Sequence, residues 1–408
     1  MKTSSMHNPD SCTACTICVA HCPVARATPK FRGPKFTGPA YERFRLLGFG
    51  DEASLEYCSN CKNCDISCPS GVPVSTFNML ARADYCKTHR QPLRDWILGH
   101  AGLMGQTTGL FPAWMLNIGM NNPVSRLVMD AMGIDRRAPL PSFAPLKERR
   151  AIRHVTEKSG AAKLIALFPG CFINYYEPWV AFDLIRVLEA AGYSVIVPEN
   201  FKCCGLPLVA GGFAGDAVDY ARANSMELAR WSRAGVPVIT ACPSCALMLR
   251  TEYAELFPAE EGLGEHGKNV YEACDFLLDL ADRGELQLDA ARPTVRSAGR
   301  RMAYHAPCHL RTLGRGRTGL DLLRLIPGMD IIDTDEKCCG ISGSYGFKKG
   351  KYEIGMAVGS PLFQAMKDTG APLSLSECGT CRVQMTHGSG LPAAHPITVL
   401  RESLALSR

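Results

Sequence analysis

The residues best equipped for chemistry in this chain are its cysteines, 20 in 408 residues. Eight fall in two copies of one spacing, Cys12-x2-Cys15-x2-Cys18-x3-Cys22-Pro23 and Cys58-x2-Cys61-x2-Cys64-x3-Cys68-Pro69. Three thiolates at i, i+3 and i+6 wrap a short backbone stretch round one corner of a 4Fe-4S cubane, and the fourth cysteine of such a run closes the other cluster. On that pattern Cys12, Cys15, Cys18 and Cys68 hold one cubane, and Cys58, Cys61, Cys64 and Cys22 hold the second. Structural zinc fits poorly, because its thiolates usually come as two separated C-x2-C pairs rather than a run of four ending in Cys-Pro. The chemistry predicted is electron transfer.

Ten further cysteines repeat at long range. Cys171, Cys203-Cys204 before Gly205, and Cys242-x2-Cys245 are followed by Cys308, Cys338-Cys339 before Gly340, and Cys378-x2-Cys381, with corresponding positions 137, 135 and 136 residues apart. That regularity marks two copies of one unit. Five thiolates per unit exceed the need of one cubane or one tetrahedral zinc, which points to one or two further non-cubane 4Fe-4S clusters, with zinc as the alternative. Adjacent cysteines suit ligation better than two disulfides. Only Cys86 and Cys274 stand outside the scheme, where a buried free thiol is the ordinary reading.

The elements that must position these residues are legible in the apolar spacing. Val74 to Lys87 reads as a helix beside the second run, and Gly33-Pro34 and Gly38-Pro39 break the 35 residues between Cys22 and Cys58. In the first unit, strands at Leu164–Phe168, Ser194–Pro198 and Pro237–Ala241 alternate with helices at Trp179–Ala191 and Ala214–Trp231. In the second, strands at Met302–His305, Asp330–Asp333 and Leu373–Ser376 alternate with helices near Leu320–Leu325 and Tyr352–Met366. All ten cysteines then follow the carboxyl ends of parallel strands, where open α/β sheets bind ligands. The fold class expected is α+β multidomain. A helical two-cluster ferredoxin-like domain (1–92) is followed by an apolar helical segment and basic linker (93–160) and by two duplicated α/β Cys-Cys-Gly domains (161–295 and 296–408).

Composition narrows the setting. At 46% hydrophobic the chain can bury several cores. Met1-Lys2 leads into polar sequence with no apolar signal core, so the reducing cytoplasm is expected. Residues 96–125 lack Asp, Glu, Lys and Arg, yet glycines and prolines interrupt them, so no clear transmembrane helix is expected. Residues 136–163 carry eight Lys or Arg against Glu148 and Glu157, a net +6 equal to that of the whole chain. An apolar segment beside a basic one suits a peripheral protein on the inner face of the membrane, or else helices packed on the ferredoxin-like domain with a solvated linker behind. No nucleic-acid motif accompanies the charge. Gly314-Arg315-Gly316-Arg317-Thr318-Gly319 fits G-x-G-x-x-G with Asp333 downstream, but it lies beyond the strand end, and two arginines in a solvated turn are the plainer reading. His305 and His309 flank Cys308 and could hydrogen-bond a cluster sulfur; for His309, and more so for His395, a structural role is expected.

The doubled units resemble the cysteine-rich repeats of heterodisulfide reductase, which implies non-cubane 4Fe-4S clusters. Two cubane runs joined to two such repeats resemble the iron-sulfur subunits of flavin-linked dehydrogenases, among them those of glycolate oxidase and of anaerobic glycerol-3-phosphate dehydrogenase. The phrases similar to the last are Gly33-Pro34-Lys35 with Gly38-Pro39, Gly170-Cys171-Phe172-Ile173-Asn174-Tyr175, Cys338-Cys339-Gly340-Ile341-Ser342-Gly343-Ser344-Tyr345-Gly346-Phe347-Lys348-Lys349, and His395-Pro396-Ile397-Thr398. The resemblance implies an electron carrier with no catalytic residue of its own, flavin-containing dehydrogenase partners, and menaquinone or another membrane acceptor. Members of that family can lack a ligand in the first repeat, whereas both repeats here keep all five cysteines. A catalytic disulfide reductase of the heterodisulfide reductase type, or the iron-sulfur component of a glycolate or lactate dehydrogenase, are the alternatives.

Overall fold

The computed structural model describes residues 8–50, 52–156, 163–294 and 301–408; Met1-Lys2 and the domain limits expected at 160/161 and 295/296 lie outside them. Strands β1 (Lys163–Leu167), β2 (Tyr193–Ile196), β3 (Val238–Thr240) and β4 (Val270–Glu272) form one sheet in the order β2-β1-β3-β4. Strands β5 (Met302–Tyr304), β6 (Ile331–Asp333), β7 (Leu373–Leu375) and β8 (Ala393–Ala394) repeat it as β6-β5-β7-β8. Every pairing is parallel. Helices cover both faces, so central strands such as Ile165-Ala166-Leu167 and Met302-Ala303-Tyr304 are apolar throughout rather than alternating. The edge strands β4 and β8 have no counterpart in the sequence reading.

One core runs through both units, joining Ile165, Leu184 and Leu277 to Met302, Leu375 and Ile397. Helix Pro178–Ala190 packs on Pro396–Ser403, and Ala273–Asp282 on Thr318–Arg324. Fully buried Asp183 ties the same seam: it accepts a hydrogen bond from Thr398 Oγ1 at 2.8 Å and pairs with Arg401 and Arg408. An unpaired carboxylate there would be strongly destabilising.

The N-terminal part is helical. Short helices Ile17–Ala20 and Asn63–Ile66 follow the two cysteine runs, and Val74–Thr88 buries Val74, Phe77, Met79 and Ala81. Four helices follow, Leu93–Gly99, Ala101–Thr108, Ala113–Asn121 and Pro123–Ala131. Pro123 opens the last at a position where its missing N–H costs nothing, and Pro112 caps the start of the one before. Those last two helices bury no residue, and Leu110, Trp114, Ile118, Val124, Leu127 and Val128 are all more than half exposed. Among the described residues no helix is long and apolar enough to cross a membrane.

The basic stretch is more than a solvated linker. Arg149 is buried, donating to the Thr108 and Phe111 carbonyls where helix Ala101–Thr108 ends. Arg126 donates to Ala138 O, and Arg137 pairs with Asp135 and Glu353. Guanidinium groups satisfy carbonyls that a helix end leaves unpaired, which explains why charge follows the apolar helices. Arg136, Lys147 and Arg150 remain exposed.

Candidate metal centres

Each cysteine run winds through left-handed backbone at equivalent places, Ala14 and Thr16 in the first and Asn60 and Lys62 in the second, with φ between 52° and 65°. Non-glycine residues rarely adopt this conformation, and alternation of right- and left-handed residues turns successive N–H groups into one concavity that favours anions. Cys12, Cys15, Cys18 and Cys68 line one cavity of about 300 Å³. Cys22, Cys58, Cys61 and Cys64 line another of about 290 Å³. N–H groups already point at sulfur: Val72 N lies 3.3 Å from Cys68 Sγ, Ala25 N 3.5 Å from Cys22 Sγ, and Asn63 Nδ2 3.4 Å from Cys61 Sγ. Burial pushes the second set of thiols up, Cys22 to about 12. Four buried thiols cannot ionise together without multivalent cations among them, so this donor set fits a metal cluster.

In the first unit the loops after β1, β2 and β3 bring Cys171, Cys203, Cys204, Cys242 and Cys245 into one contiguous group. Hydrogen bonds from Cys171 and Cys204 hold Cys203 well below the usual thiol range, and Cys245 bonds both Cys204 and Cys242. In the second, Cys338 and Cys381 do the same for Cys339, whose Sγ is 3.2 Å from Cys381 Sγ, while Cys378 and Cys308 complete the group. All 20 cysteines are free thiols. The glycine after each pair is left-handed, Gly205 at φ 85° and Gly340 at φ 86°. The first group is roofed by helix Ala101–Thr108, where Gly102 lies against Cys203 and Gly105 against the Tyr175 ring.

Two domain families match the chain: the 4Fe-4S dicluster domain over residues 8–72, and the CCG cysteine-rich domain over residues 165–250 and 302–386. The chain is also 37% identical over 401 residues to the iron-sulfur subunit of anaerobic glycerol-3-phosphate dehydrogenase of Escherichia coli (strain K12), spanning 97% of this chain and 98% of that one. The chain belongs to this family of dehydrogenase subunits. It is an iron-sulfur electron-transfer subunit with a helical 4Fe-4S domain ahead of two α/β CCG domains. Weaker similarity reaches one subunit of the CoM/CoB fumarate reductase of Methanothermobacter marburgensis, 25% identical over 92% of this chain and 67% of that protein. One subunit of the dihydromethanophenazine:CoB–CoM heterodisulfide reductase of Methanosarcina acetivorans is 23% identical over 98% of this chain and 94% of that one.

In this member of the dehydrogenase-subunit family the cysteine groups are neighbours. Helix Cys308–Thr312 packs on both Asn63–Ile66 of the second cubane run and Pro243–Leu247 of the first unit. Cys61 is close enough to Cys308 and Cys338 to raise the pKa of each. His309 bridges all three regions: Nε2 is 2.9 Å from Asn60 O and Nδ1 2.9 Å from Ser244 Oγ. The carbonyl can only accept, so Nε2 carries the proton and Nδ1 accepts from the serine hydroxyl. His395 is likewise structural, donating to Ala241 O and accepting from Ile397 N, with burial pushing its pKa well down. Arg311 joins Asn63 Oδ1 to Lys337 O.

The remaining sequence candidates resolve as packing. Arg315 pairs with Asp275 and Asp279, and Arg317 with Asp333 and Asp335, so the acidic residue of the G-x-G-x-x-G reading is committed to an arginine. Cys274 is fully buried, whereas Cys86 is only half-buried beside Gly211 O.

Proposed function

We propose that this chain carries electrons from a flavin-bearing dehydrogenase partner that oxidises sn-glycerol 3-phosphate, through two 4Fe-4S cubanes and non-cubane 4Fe-4S centres in the Cys-Cys-Gly units, toward a membrane quinone such as menaquinone. The cubane ligands are Cys12, Cys15, Cys18 and Cys68 for one and Cys22, Cys58, Cys61 and Cys64 for the other. The further ligands are Cys171, Cys203, Cys204, Cys242 and Cys245, and Cys308, Cys338, Cys339, Cys378 and Cys381. Clusters bound there would supply one-electron sites. The domain limits remain those expected from sequence, 1–92, 93–160, 161–295 and 296–408.

The observation that carries this reading is the contact of Cys61 with Cys308 and Cys338, which leaves no protein layer between the second cubane set and the second unit. Around that junction the chain's own residues fix geometry: His309 and Arg311 clamp the Asn60–Asn63 loop, and Asn63 turns its amide toward the Cys61 sulfur. The exposed apolar face of helices Ala113–Asn121 and Pro123–Ala131, with Arg136, Lys147 and Arg150 exposed on the segment that follows, supports peripheral attachment to anionic lipid.

The test is low-temperature electron paramagnetic resonance on the anaerobic complex with its partner subunits, before and after sn-glycerol 3-phosphate, with glycolate and D-lactate as controls. Reduced cubane signals with glycerol 3-phosphate alone are expected. Silence with all three, while dithionite still reduces the clusters, would sink the donor assignment and bring a disulfide reductase forward.

A further inference from the structure

The second unit holds a donor that the first lacks. His305 is 1% exposed, and neither ring nitrogen has a hydrogen-bond partner. A ring nitrogen, Cys339 Sγ and Cys381 Sγ all lie within 4.8 Å of one another. Among the described residues this is the one group of three such donors drawn that close. The position is rigidly set, because His305 continues β5 by one residue and its backbone N–H donates to Leu375 O at 3.0 Å. Its counterpart in the first unit, by the 137-residue offset of Cys171 and Cys308, is Phe168. Phe168 is fully buried, its ring edge-on to Phe201 with centroids 5.1 Å apart. The same place in the duplicated fold is therefore filled once by hydrocarbon and once by an imidazole with no polar neighbour but cluster thiols. A buried imidazole without partners is costly, and a ligand bond to a metal satisfies one nitrogen.

We propose that His305 is a nitrogen ligand of the metal centre in the second unit, binding iron alongside Cys339 and Cys381, so that the two Cys-Cys-Gly centres differ in ligand chemistry. This rests on the reading that the second unit holds an iron-sulfur centre. A neutral imidazole leaves iron less negatively ligated than a thiolate does, which raises a cluster's potential, as histidine does in Rieske centres. The second centre is then the easier of the two to reduce, and it is the one that adjoins the cubane set.

The experiment is pulsed electron paramagnetic resonance on anaerobic full-length protein grown with 15N-histidine, both as purified and after dithionite. The expected result is a strong nitrogen coupling that changes with the label, is lost in His305→Phe, and is accompanied in His305→Cys by a lower midpoint potential for one centre. Should His305→Phe fail to accumulate, His305→Gln reads the same loss. A second-centre signal with no label-sensitive coupling, or a coupling that survives His305→Gln, would overturn the proposal while leaving the iron-sulfur reading intact. Iron analysis separates the other failure: a Cys339→Ala protein that loses no iron overturns the reading beneath it, and the proposal with it.

Discussion

The two Cys-Cys-Gly units keep the same sheet order and the same five cysteines, yet they turn equivalent residues toward different neighbours. The residue after the first cysteine of each unit crosses to the C-x2-C turn of the other. His309 reaches Ser244 and Phe172 packs against Gly379, where an added Cβ would come within 2.2 Å of the ring. The residue capping the long helix after each Cys-Cys-Gly differs as well. Phe213 lies edge-on to His100 under the apolar helices, whereas Lys351 donates to Glu56 O beside the second cubane run. Duplication thus preserved the strands and thiols that build a centre, and divergence changed what each centre faces. The first unit is joined to the apolar segment, the second to the cubanes.

The largest expected effect separates the units by function. Loss of one supporting residue already weakens metal sites about 10–100-fold, so loss of a ligand should cost roughly 100-fold or more. If the second unit receives electrons from the cubanes, Cys339→Ala should cut quinone reduction by that much and leave cubane reduction by the partner intact. The matched first-unit variant Cys204→Ala shows whether electrons continue through that unit; an equal loss means that both centres lie in series. Stopped-flow reduction of a soluble quinone analogue reads both.

Next in size is the glycine after each cysteine pair. At Gly340 a Cβ would lie 1.9 Å from Gly355 O, in addition to the left-handed backbone, so Gly340→Ala should cost about 3 kcal/mol or more. At Gly205 the nearest atom is 3.7 Å away and only the backbone term of about 1–2 kcal/mol remains. Thermal unfolding of the holo-protein should rank the two in that order, and equal shifts would mean that the units are packed alike after all.

A smaller difference is expected at the crossing residues. His309→Leu strands the Ser244 hydroxyl and the Asn60 carbonyl, about 1–3 kcal/mol for each group left unpaired and less where water reaches it. Phe172→Leu trades one apolar group for another and should cost about 1 kcal/mol. Because Asn60 belongs to a cubane loop, only the histidine change should also alter the paramagnetic lineshape of that cluster.

Much of this asymmetry was invisible in the sequence although its elements were not. Strands such as Leu164–Phe168 and Leu373–Ser376 announced themselves because a continuous apolar run ended just before a cysteine, which is how a buried parallel strand reads. The edge strands gave no such signal: Val270–Glu272 and Ala393–Ala394 are three and two residues long and follow loops. The cysteine groups were legible because ligand spacing is local within each run. The contacts of His309 with Asn60 and Ser244 span 249 and 65 residues, and no local pattern encodes them. His305 lies between these cases. The same 137-residue offset that revealed the duplication also aligns it with Phe168, so a polar-for-apolar exchange at a strand end was the available clue.

The finest test of the divergence is the pair of helix caps, through pH. Burial, with the charges of Arg82 and Lys348, pushes Lys351 down to about 7, against opposition from Glu56 and Asp95. An unfolded lysine titrates near about 10.4. Above that value both states are neutral. As pH falls toward 7 the unfolded chain binds a proton that the folded chain refuses, so stability is lost between about 10.4 and 7 and then levels off. Between pH 8.5 and 7.0 the loss amounts to about 1.5 kcal/mol. Cysteine ionisation adds its own pH dependence, but that is common to the wild type and a Lys351→Met variant. The difference between them in urea unfolding at the two pH values isolates the lysine. Wild-type protein should gain about 1.5 kcal/mol more than Lys351→Met on going to pH 8.5, whereas Phe213→Met, at the equivalent cap, should show the wild-type pH response unchanged. A Lys351→Met protein that keeps the full wild-type response would mean that this lysine stays charged in the fold, and that the second unit meets the cubane domain through an ordinary ion pair.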